Sequence, residues 1–159
     1  MFSDLLGMRF VILVFCGLFA GFIDAAFFSW FTGGYVSLRT IGLIATLAPP
    51  PASATALIFM LPAALAYGFS TGSSPLFNIV LAGAMTITGL TVARAFSRFT
   101  LTVSIIAVAA SLTLFDAAVT AFTFRDTVAL SPTIVLTSGA AIIAQACFAV
   151  LIRRAIRPA

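Results

Sequence analysis

Between Phe10 and Phe31 the chain carries one charge, Asp24. Long apolar runs of this kind recur along its whole length. Leu76 to Ala93 and Thr133 to Ile152 hold no charge, and Thr100 to Phe124 holds only Asp116. A bilayer crossing needs about 20 mainly apolar residues, and each run meets that need. Of 159 residues, 62% are hydrophobic and 8% charged, whereas a soluble domain has roughly 45–50% and 25%. Too few charges remain to cover a water-facing surface. The expected fold is all-α: a polytopic transmembrane bundle of about six helices in one membrane domain, 1–159, with no soluble domain.

The candidate spans are 10–31, 35–48, 52–71, 76–93, 100–124 and 133–152. The first follows Arg9. Phe15 before Cys16 is too bulky for a lipoprotein site, and no small-x-small cleavage site precedes Phe27, so the run reads as a retained anchor. Gly33-Gly34 forms a turn. The segment 35–48 is short and ends at Pro49-Pro50-Pro51, where a helix stops; it is either a short span or a re-entrant piece. Pro62 within 52–71 is tolerated in a membrane helix and usually kinks it. Gly72-Ser73-Ser74-Pro75 is a tight turn.

The missing residues exclude much chemistry. All eight basic residues are Arg and all four acids are Asp, with no His, Lys or Glu. Zinc and iron sites draw on His, Cys and clustered carboxylates, and triad hydrolases need a His or Lys base. We therefore expect no catalytic centre, no metal and no cofactor. Cys16 and Cys147 read as small hydrophobes buried within their helices. The net charge of +4 reflects Arg at helix ends, not a nucleic-acid surface.

Arg94, Arg98, Arg153, Arg154 and Arg157 follow apolar runs, so the positive-inside rule puts them and the C-terminus in the cytoplasm. If 35–48 spans, the N-terminus is also inside; if it re-enters, the N-terminus is outside. The Arg count does not choose between these, and the free amine beside Arg9 favours the six-span form. Trp30, Tyr35 and Tyr67 fall near span ends, as interfacial aromatics do.

Asp24 lies about two-thirds of the way along its run. An ionisable group at that depth costs at least about 2.5–3.5 kcal/mol. Gly17 and Gly21, a GxxxG pair, share its face and allow another helix close. The expected partner of Asp24 is Arg39. Asp116 lies at similar depth on a stripe with Thr113, Thr120 and Thr123. Asp24, Arg39, Asp116 and Arg125 thus form a candidate polar layer, with either a packing or a solute-binding role. Asn78, Ala82, Met85 and Gly89 on one helix, and Ser138, Ala141 and Gln145 on another, form small or polar packing faces.

From Ala48 to Arg157 the layout resembles the bacterial rod-shape-determining MreD family. The pieces that carry the resemblance are Leu65-Ala-Tyr-Gly-Phe-Ser-Thr-Gly-Ser-Ser-Pro-Leu76, the basic break at Arg94 and Arg98, Leu114-Phe-Asp116, and Arg153-Arg154. Two departures stand out. That family usually has an acid before the Ser-Pro turn, where this chain has Tyr67, and a Gly after Pro-Leu, where it has Phe77-Asn78. The resemblance implies a six-helix fold similar to the substrate-binding S components of vitamin transporters. It also implies a non-enzymatic role in the bacterial inner membrane, beside a partner of the peptidoglycan elongation machinery. The expected function is thus a non-catalytic subunit of a membrane complex, in contact with the lipid bilayer and with other subunits or copies of itself. A small-solute binding or transport protein is the alternative.

Overall fold

A computed structural model describes residues 2–28, 36–47, 53–124 and 132–156. The segments bearing Trp30, Gly33-Gly34, Tyr35, Pro49-Pro50-Pro51, Arg125 and Arg157 lie outside the described residues, as do the side chains of Thr120 and Thr123.

The fold is all-helical. Helix α1 spans Phe2–Ile23 and runs on as one π-helical turn, Asp24–Phe28. It is followed by α2 (Leu38–Leu47), α3 (Ser53–Thr71), α4 (Pro75–Ala95), α5 (Leu101–Phe124) and α6 (Pro132–Ile156). All but α2 are long and apolar enough to cross a membrane. The chain is a multi-pass membrane protein. Helix α3 continues through Pro62. Ser74 caps α4 and Pro75 opens it, the favoured order at a helix start.

Helix α2 has ten residues, about 15 Å at 1.5 Å per residue, or half of the hydrocarbon core. It is amphipathic, and its apolar face is enclosed: Ile41, Leu43, Ile44 and Leu47 are buried. Among the described residues it alone touches all five other helices. The others touch in the order α1, α3, α4, α5, α6, and among the described residues α1 does not meet α6. The fold is an open ring of five helices closed around a short central one.

Helix directions follow from the contacts. A methyl added at Gly17 would collide with the Phe59 carbonyl, and one at Gly21 with the Ala63 carbonyl. Both numbers rise together, so α1 and α3 run parallel at close backbone approach, as GxxxG allows. Arg39 reaches Tyr67 while Gly42 meets the Phe59 ring, so α2 runs against α3. Gly68 meets Asn78 across the α3–α4 turn, and Thr113 meets Gln145 between α5 and α6. Direction alternates at every helix, α2 included. The start of α1 and the end of α6 therefore lie at one end of the bundle.

The cysteines correct an expectation. Cys16 and Cys147 are exposed on the outside of the bundle, not buried, and are unbridged. Lipid tails solvate a small apolar side chain as well as a core does, so an apolar residue in a span carries no signal of burial. For the same reason Phe15, Phe19 and Phe69 point outward.

Candidate functional site

Ser37 stands one residue before α2, in the capping position. Its hydroxyl oxygen accepts from Thr40 N at 3.4 Å, and its proton goes to Asp24 Oδ2 at 2.7 Å. The Leu38 amide donates to Asp24 Oδ1 at 2.6 Å, and the Arg39 amide to Oδ2 at 3.0 Å. The Arg39 side chain turns back so that Nε donates to Oδ2, also at 3.0 Å. One carboxylate from α1 thus caps the first turn of α2 across the bundle. It meets orphan amides, the positive end of the helix dipole and a guanidinium together.

Asp24 is only 2% exposed. Its carboxylate takes four donors, three on Oδ2 and one on Oδ1. The widened turn that begins at Asp24 places the carboxylate beside the α2 terminus; such turns recur where a helix carries a special residue. The Arg39 guanidinium lies over the Tyr67 ring, 3.7 Å from its centroid. The ring's negative face stabilises a cation held away from water. The pair Asp24–Arg39 expected from the sequence is therefore present, with its charges neutralised inside the fold.

Asp116 on α5 is half-buried. Among the described residues it makes no hydrogen bond or ion pair. The structure joins Asp24 and Arg39 and gives Asp116 no hydrogen bond or ion pair to either; Arg125 lies outside the described residues. Gln145 is buried, with Oε1 3.3 Å from the Thr113 hydroxyl, which also donates to Ala109 O at 2.8 Å. Asn78 does more than pack: Nδ2 donates to Ser73 Oγ at 2.8 Å and to Ser74 O at 3.0 Å, pinning the α3–α4 turn. No three His, Cys, Asp or Glu side chains gather among the described residues.

Two members of the site were not singled out from sequence. Ser37 carried a signal, since Ser before an apolar helical run marks an N-cap. Tyr67 carried none: a tyrosine near a span end reads as an interfacial residue, and only the crossing of α2 over α3 puts its ring under Arg39. The fold and site define a multi-pass α-helical membrane protein with a partly buried Asp24–Arg39 ion pair. No family model matches the chain, nor does any curated protein or solved structure.

Proposed function

We propose that the chain is a non-catalytic subunit of a membrane complex in the bacterial inner membrane, of the cell-shape and peptidoglycan-elongation scaffold kind that its layout resembles. The observation that carries this reading is the engagement of Asp24 inside the bundle. It is 2% exposed and accepts four hydrogen bonds from Ser37, Leu38 and Arg39, which makes the acid a clamp on α2. The open seam between α1 and α6 adds support, since another subunit's transmembrane helix would complete the ring there. Arg94, Arg98, Arg153 and Arg154 all lie at the end of the bundle where α1 starts, so the positive-inside rule favours both termini in the cytoplasm.

The test is affinity purification from native membranes in mild detergent, with mass spectrometry of the proteins retained. Recovery of cell-wall elongation proteins supports the scaffold. Recovery of an ATPase module with its membrane coupling subunit overturns it in favour of solute capture. A homo-oligomer without other proteins overturns both complexes.

Asp116 favours the second reading, small-solute binding, because it is half-buried at depth with no hydrogen bond among the described residues. That reading requires Asp116→Asn to abolish uptake or binding while the fold survives. Unchanged uptake sinks it.

A further inference from the structure

Outside the clamp, a groove of about 420 Å³ runs between α5 and α6. Ile105 and Ile106 form one wall, and Ile142, Ala146 and Val150 the other. Its lining is apolar except at one end, where Thr102 and Arg154 stand. From Ile142 to Arg154 the groove follows α6 for about 18 Å at 1.5 Å per residue, close to the roughly 15 Å depth of one leaflet. The charged end is the Arg-rich end of the bundle, beside the opening turn of α5, whose first amides have no helical acceptor.

We infer that this groove binds an anionic phospholipid, one acyl chain lying between α5 and α6 and the headgroup phosphate on Arg154. Charge complementarity selects this occupant. A single cation closes an apolar channel of leaflet length at the depth of the headgroups, and Arg donors suit a phosphate. A hydrocarbon chain is slender enough to lie in the groove, and a phosphate supplies the counter-charge to Arg154 that an apolar helix face lacks. Thr102 adds a hydroxyl, and the α5 N-terminus adds a positive dipole end.

The test is native mass spectrometry of the full chain in detergent, titrated with phosphatidylglycerol or with phosphatidylcholine of the same acyl chains. The wild type should retain phosphatidylglycerol about fivefold better, the effect of one basic residue at a lipid surface. Arg154→Gln should remove that preference. Arg94→Gln, at the same end but off the groove, should keep it. Ala146→Phe, which fills the channel, should weaken retention of both lipids. Equal retention of the two lipids by the wild type overturns the assignment and leaves the groove to bulk lipid or another subunit. So does an Arg94→Gln loss as large as that of Arg154→Gln, which would mark a diffuse surface charge.

Discussion

A charged residue inside a membrane span is tolerated only when something offsets its desolvation, and Asp24 stands near the far end of the span Gly7–Phe27, nearer that end than its position in the apolar run suggests. For Asp24 that something is a helix terminus, a hydroxyl and a guanidinium held by an aromatic ring. Removing one partner of a buried ion pair costs about 3–5 kcal/mol, because the other charge stays behind. Asp24→Ala should therefore lower unfolding stability in detergent by about that much. Asp24→Asn keeps one acceptor oxygen but loses the charge and turns an NH2 toward the remaining donors, so its loss should be smaller than that of Asp24→Ala, about 1.5–3 kcal/mol. At Tyr67 the ring face is what matters. Tyr67→Phe should leave stability nearly unchanged, and Tyr67→Leu should cost about 0.5–2 kcal/mol, read by the same denaturation curves.

Helices were largely legible in the sequence because bilayer thickness dictates their length. The runs 76–93 and 100–124 lie within α4 and, but for Thr100, α5. The segment 35–48 resisted, since length and hydropathy are equally compatible with a short span and a re-entrant piece. What the structure adds is contact: among the described residues α2 touches all five other helices, and no local pattern encodes that. Burial was legible only where small residues cluster. Gly17 and Gly21 mark the α1–α3 approach, whereas Cys16 and Cys147 gave no cue, lipid and core being alike to them. Glycines differ accordingly. Gly21→Ala drives a methyl into the Ala63 carbonyl, 2.9 Å from Ala66 Cβ, and should destabilise by about 1–3 kcal/mol. Gly83 meets nothing within 4 Å; Gly83→Ala should be stabilising by about 0.5–1 kcal/mol. Thermal unfolding of the two variants side by side checks both signs.

Over the whole molecule, α2 joins helices that otherwise do not meet. Among the described residues α6 touches only α5 and α2, and α1 touches only α3 and α2. Alternating directions put the start of α1 and the end of α6 at one end. Reporter fusions to the two termini should thus report the same side of the membrane, and opposite sides would contradict the alternation. The central claim is that Asp24 clamps α2 and that α2 holds the five surrounding helices together. Hydrogen–deuterium exchange of the wild type and Asp24→Ala tests it most directly. The account predicts faster exchange throughout Leu38–Leu47 and on the α1 and α6 segments packed against it. Unchanged protection of α2 in a variant that has lost complex formation or solute binding would contradict it, and would make Asp24 a ligand-contacting residue instead of a clamp.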